Sequence, residues 1–169
     1  MKISIASALS VILGCFLCVP SANAEIVFNF NFNDLNISSA SAPGSGGVPE
    51  TISASQGAGS LSLIGWAGLV DDFGGSTINA LGGDPSGASL SLVGQAGNGS
   101  FIELQTSLVG LQDAVITFAT RGTSTGFDSG LWSWSTNGTD FTAIAGNTAT
   151  RSTTFGLATA DFTGISELT

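Results

Sequence analysis

Ile26-Val27-Phe28-Asn29-Phe30-Asn31-Phe32 alternates apolar and amide side chains along its length. Successive side chains of a strand point to opposite faces, so the spelling predicts one apolar face of Ile26, Phe28, Phe30 and Phe32 and one wet face of Asn29 and Asn31. The same two-residue period returns at 60–64, 89–93, 100–105, 114–120, 130–136, 139–145 and 152–157, and no window beyond Glu25 carries an apolar 3.6-residue period of helix length. Eight short strands parted by turn residues describe an all-β chain, an antiparallel jelly-roll-like β-sandwich.

Three further stretches refine this picture. Residues 39–60 are rich in Ser, Ala, Gly and Pro and read as a long flexible connection, with a short strand around 50–53. Ser60-Leu61-Ser62-Leu63-Ile64-Gly65-Trp66-Ala67-Gly68 is echoed by Ser89-Leu90-Ser91-Leu92-Val93-Gly94-Gln95-Ala96-Gly97 at seven of nine positions. A solenoid needs at least three stacked units, and no third copy is found. Two similar strand-and-turn units in one sheet, or coincidence in a low-complexity background, both account for the echo.

Asn137-Gly138 is the preferred pair for a two-residue type I′ turn, whose two positions both need positive φ. That turn sets Trp134 opposite Phe141 and Trp132 opposite Ala143, with all four on one face. A slip of one residue would then expose both tryptophans.

The chain has 169 residues, with 12 Asp and Glu, 3 Lys and Arg, and no His or Tyr. Its start has the three parts of a secretory signal: Met1-Lys2, an apolar run from Ile3 to Val19, and small residues ending Ala22-Asn23-Ala24. Residues 1–24 are expected to be a signal peptide cleaved before Glu25. Ile12-Leu13-Gly14-Cys15 is similar to a bacterial lipobox and would instead leave a lipidated Cys15. An uncleaved anchor is a third reading, although the run is short for a span of about 20 residues. Cys15-x-x-Cys18 inside an apolar signal run is a chance spacing.

The mature chain, 25–169, is expected to be a single domain with no membrane span. Its twelve acids against Arg121 and Arg151 leave a formal charge of −10. Two cations cannot neutralise the phosphates of a nucleic acid. Without His or a mature Cys there is no Ser-His-Asp or Cys-His nucleophile, no His or Cys zinc site and no thiol redox centre. Carboxylate, hydroxyl, amide and aromatic chemistry remain.

The run Val115-Ile116-Thr117-Phe118-Ala119-Thr120-Arg121-Gly122-Thr123-Ser124-Thr125-Gly126-Phe127-Asp128, followed by Trp132-Ser133-Trp134-Ser135-Thr136-Asn137-Gly138-Thr139-Asp140-Phe141-Thr142, resembles the core of secreted bacterial β-sandwich proteins of the PEP-CTERM-associated type. Phe28-x-Phe30-x-Phe32-Asn33-Asp34 looks like their opening strand. The resemblance implies an extracellular or cell-surface location and a fold, more than a chemistry. It also implies one or two strands after the segment 161–166, then a Val-Pro-Glu-Pro sorting tail. The domain is therefore expected to be C-terminally truncated.

Paired carboxylates could serve a glycosidase. Of Asp34, Glu50, Asp71, Asp72, Asp84 and Glu103, only Asp71 and Asp72 are adjacent, and neighbours on a strand face opposite ways, so no catalytic residue is assigned. Calcium is the ion such a chain suits, since it takes carboxylate, amide and backbone oxygens from loops. Asp71-Asp72 beside Gly74-Gly75, and Gly82-Gly83-Asp84, read as acidic loops of that kind, making Asp71, Asp72 and Asp84 the candidate ligands. Sugars pack their C–H faces on exposed rings ringed by hydroxyls and amides. Trp66, between Gly65 and Ala67-Gly68, is the candidate ring, with Asp71 and Asp72 as candidate ligand-binding partners. Trp132 and Trp134 are expected in the core, and Arg121 is expected to pair with a carboxylate.

The sequence thus predicts a non-catalytic secreted or cell-surface β-sandwich protein that contacts extracellular polysaccharide or matrix. An accessory domain of a larger extracellular nuclease or glycoside hydrolase, and a small carboxylate glycosidase, stand as alternatives.

Overall fold

A computed structural model describes residues 24–94, 96–127, 130–144 and 152–168. The expected leader, Cys15 and Cys18 included, lies outside them up to Asn23. They contain no α-helix and eleven strands: β1 (Phe28–Asn29), β2 (Thr51–Ser53), β3 (Gln56–Gly57), β4 (Ser60–Ile64), β5 (Leu69–Gly74), β6 (Ala88–Val93), β7 (Phe101–Gln105), β8 (Val115–Thr120), β9 (Ser133–Trp134), β10 (Thr142–Ala143) and β11 (Gly156–Asp161). Every pairing is antiparallel, so the protein is all-β. The ladders form five small groups, β1–β3, β2–β4–β7, β5–β6, β8–β11 and β9–β10, where a jelly roll would draw two continuous sheets. Among the described residues no helix is long and apolar enough to cross a membrane.

The main core is built from alternation. Leu61 and Leu63 of β4 turn inward with Val70 of β5, joined by Ile37 and Val48 from the preceding loop. Phe30, Phe32, Ile52, Trp66, Leu90, Leu92 and Leu104 pack around them. Cross-strand partners share faces, so Leu61–Leu104 and Val70–Leu92 each bring two apolar side chains to the same side. A second cluster forms where Trp132 meets Phe118 at 5.6 Å and Phe162 at 6.1 Å between ring centroids.

The opening stretch is shorter as a strand than its spelling predicts. Only Phe28–Asn29 is β1, and the chain turns at Phe32, whose φ is +57°. The side chain of Asn31 causes the turn by accepting the Asn33 N–H at 3.1 Å, while the Leu35 N–H reaches the Phe32 carbonyl at 3.1 Å. The rings still share a face, with Phe28–Phe30 at 5.5 Å and Phe30–Phe32 at 6.1 Å.

Residues 39–60 are not a loose connection. Ser41 and Val70 exchange both backbone hydrogen bonds, at 3.0 and 2.8 Å, and buried Val48 pins the loop to the core. β2 lies where a short strand is expected, and β3 pairs with β1. The acidic stretch at Asp71-Asp72 is strand β5 rather than a loop, because Val70 and Asp72 face inward beside Leu92 and Leu90 while Leu69, Asp71 and Phe73 face out. β11 begins at Gly156, later than the expected 152–157, and its Ala158 and Ala160 share one face of the ladder with Phe118 and Ile116 of β8.

The hairpin register differs by one residue from the expected one. Trp134 faces Thr142 and Ser133 faces Ala143, and the Ile144 N–H reaches the Trp132 carbonyl at 2.9 Å. A type I′ turn needs two positive φ angles, and here Gly138 alone supplies one, at +73°. The Asn137 carboxamide oxygen instead accepts the N–H groups of Thr139 and Asp140, each at 2.9 Å, which lengthens the loop. The tryptophans keep their half-buried face, and Phe141 is what the slip turns outward.

Candidate functional site

Trp66 follows Gly65, which ends β4 in the left-handed conformation at φ +59°. Gly94 ends β6 in the same way at +82°, so the sequence echo is one strand-and-turn unit used in two different sheets. The two turns converge on Trp66. A Cβ on Gly97 would lie 2.5 Å from its ring and one on Gly68 would lie 2.9 Å from its Nε1, so only glycine fits at either place. Phe127 meets the ring edge-on at 5.9 Å. The indole is half-buried against the core, and its Nε1–H is sealed from solvent with no acceptor among the described residues.

The three candidate calcium ligands are not brought together as a group. Asp71 and Asp72 point to opposite faces of β5. Asp72 accepts the Ile37 N–H at 3.1 Å, Asp71 accepts the Asp72 N–H at 2.9 Å, and Asp84 accepts the Asn31 carboxamide N–H at 3.0 Å. Among the described residues no three Asp, Glu, His or Cys side chains gather as a metal site. Asp71 thus bonds within its own strand, while Asp72 ties the loop at Ile37 to β5 and Asp84 ties its loop to the turn at Asn31. Asp161 does the same at the end of β11, where the Thr163 N–H, at 2.9 Å, and then its hydroxyl hold the carboxyl below the usual range. Arg121, expected to pair with a carboxylate, lies over the Phe155 ring at 4.8 Å from its centroid; Asp128 falls outside the described residues.

A concavity of about 490 Å³ lies between Asp34–Asn36 and the Gly44–Pro49 loop; of the carboxylates weighed for catalysis only Asp34 lines it, and Trp66, Asp71, Asp72 and Asp84 do not.

The outer face of β2–β4–β7 carries a different arrangement. Across it run two polar rows, Thr51–Ser62–Glu103 and Ser53–Ser60–Gln105. At the end of the same face Ile64 pairs with Phe101, and Phe101 meets Phe141 at 6.4 Å. Phe101 is 50% and Phe141 46% exposed. This is a ring pair open to solvent and bordered by hydroxyl, amide and carboxylate groups. Phe101 was detectable in the sequence: in 101–105 it shares the face of Glu103 and Gln105, opposite Ile102 and Leu104, so it stands on the polar side of its strand. Phe141 was not, since its outward direction depends on the one-residue slip.

The class defined by fold and site is an antiparallel all-β protein with an exposed aromatic corner. A scan against protein-family models, a search of the curated proteins and a search of the solved structures each find no match.

Proposed function

We propose that the protein is a non-catalytic secreted or cell-surface module of the PEP-CTERM-associated kind that holds neutral extracellular polysaccharide on the outer face of β2–β4–β7. The observation that carries this reading is the exposed Phe101–Phe141 pair set at the end of two polar rows. Apolar sugar faces pack on rings, and sugar hydroxyls exchange hydrogen bonds with Ser, Thr and Gln side chains and donate to the Glu103 carboxylate. A mature charge of −10 repels uronate and phosphate polymers, which selects for neutral chains. The signal-like leader supports export. The opposed directions of Asp71 and Asp72 give no support to a carboxylate dyad.

The test is affinity electrophoresis of residues 25–169 through gels containing neutral β-glucans or a uronan. Retention is expected in a neutral gel alone. Two rings worth about 1 kcal/mol each make Phe101→Ala/Phe141→Ala weaker by about tenfold or more. No retention in any neutral gel, or retention unchanged in the double variant, would sink the reading.

A further inference from the structure

Two Asn-Gly pairs occur in the chain, Asn98-Gly99 and Asn137-Gly138, and their surroundings are opposite. We infer that both are sites of spontaneous deamidation, Asn98 open to the reaction and Asn137 held back by the hairpin that its own conversion would unfasten.

In the reaction the glycine backbone nitrogen gives up its proton and attacks Cγ of the preceding asparagine. The N–Cγ bond forms and the Cγ–Nδ2 bond breaks, with Nδ2 leaving as ammonia after taking up a proton. Water then opens the cyclic imide at one carbonyl or the other to give Asp or isoaspartate. Water enters, ammonia leaves, and no oxidant or reductant is needed. Glycine favours the attack because no Cβ shields its nitrogen and its backbone turns freely.

Asn98 occupies the turn closed by the Ser100 N–H on the Gly97 carbonyl at 3.0 Å. Its side chain is exposed and makes no hydrogen bond among the described residues, so no described group withholds Cγ from Gly99. Asn137 is fastened at both ends of its carboxamide. Oδ1 accepts from the Thr139 N–H, the Thr139 hydroxyl and the Asp140 N–H at 2.9 Å each, and from the Ser135 hydroxyl at 3.0 Å. Nδ2 donates to Asp140 Oδ2 at 2.7 Å. The attacking group is engaged too, since the Gly138 N–H donates to Ser135 Oγ at 3.0 Å. Attack requires that bond to open and the carboxamide to turn away from its donors.

Once it does react, the change does not reverse. An oxygen anion replaces the Nδ2 donor facing the Asp140 carboxylate, and like charges at that separation repel. Isoaspartate also adds a carbon to the main chain and spoils the register of Trp134 with Thr142.

The mature protein is incubated at mildly alkaline pH, native and in urea, and each site is followed by peptide mass mapping for the exchange of NH for O. In the native protein Asn98 is expected to react at close to its rate in urea, and Asn137 at least about tenfold slower than its own rate in urea. Ser135→Ala, which frees the Gly138 N–H, is expected to raise the native rate at Asn137 and leave Asn98 unchanged. Equal native rates at the two sites, or an Asn98 protected as strongly as Asn137, would overturn the inference. An unaltered Asn137 rate in Ser135→Ala would remove the latch.

Discussion

Trp66 is a large ring fitted to two glycines, and its environment is decided atom by atom. Gly97 is buried, and its backbone lies in the ordinary φ region, so a substitution there meets steric resistance and no backbone strain. The added methyl would sit 2.5 Å from the Trp66 Cζ2 and 2.6 Å from Cη2, far inside contact distance, and the ring is already bounded by Phe127 on its edge. Gly97→Ala is therefore expected to cost about 1–3 kcal/mol, as overpacking does. Urea denaturation followed by indole emission measures both parts of the effect, a lower midpoint and a red shift as the ring is pushed toward water. Gly74→Ala is the control, because a Cβ there meets nothing within 4 Å. It should leave the midpoint within about 0.5 kcal/mol of wild type. Equal losses from the two variants would mean that Trp66 yields to Gly97 at no cost.

At the scale of the element, the β9–β10 hairpin shows how one side chain sets a register. With Trp134 opposite Thr142, Trp132 lies between Phe118 and Phe162 while Phe141 lies on the outer side against Phe101. The two registers predict different stabilities. In the observed one, Trp132→Ala removes the centre of the second cluster and should cost about 3 kcal/mol, whereas Phe141→Ala strips a ring half open to water and should cost under about 1 kcal/mol. Comparable losses in equilibrium unfolding would return the hairpin to a two-residue turn. The same hairpin marks where the sequence is readable and where it is not. β4, β7 and β8 lie where alternation places them because each sets a pair of apolar side chains on one face, Leu61 and Leu63, Ile102 and Leu104, and Ile116 and Phe118. β5 escapes notice because Asp72 faces inward to take the Ile37 N–H, which breaks the pattern of an apolar inner face. The turn escapes because Asn137 bonds its own neighbours, a choice that Asn-Gly allows but does not announce. Of the aromatic corner, then, Phe101 follows from its strand alone and Phe141 requires the turn.

Across the whole molecule the dominant feature is one-signed charge. Residues 25–169 carry twelve carboxylates, and the one cation among the described residues, Arg121, is spread over the Phe155 ring and makes no ion pair with a described carboxylate. Each carboxylate that bonds a backbone N–H or a carboxamide, as Asp72, Asp84 and Asp161 do, secures a loop locally and still adds to the repulsion of the whole. Such repulsion disfavours the compact state and is weakened by salt, since the screening length shrinks from about 10 Å at 0.1 M to about 3 Å at 1 M. The melting temperature is thus expected to rise with sodium chloride. Calcium adds a second question, because a divalent ion raises stability both by screening and by binding. Separate placement of Asp71, Asp72 and Asp84 predicts that screening acts alone: at matched ionic strength calcium, magnesium and sodium chlorides should give the same melting temperature, and a chelator should change nothing. A further rise with calcium only, saturating and removed by chelation, would require carboxylates to gather round a cation. It would show that residues 25–169 relieve part of their −10 charge by binding metal, and the neutral-glycan reading would then have to admit a calcium-bridged acidic polymer as well.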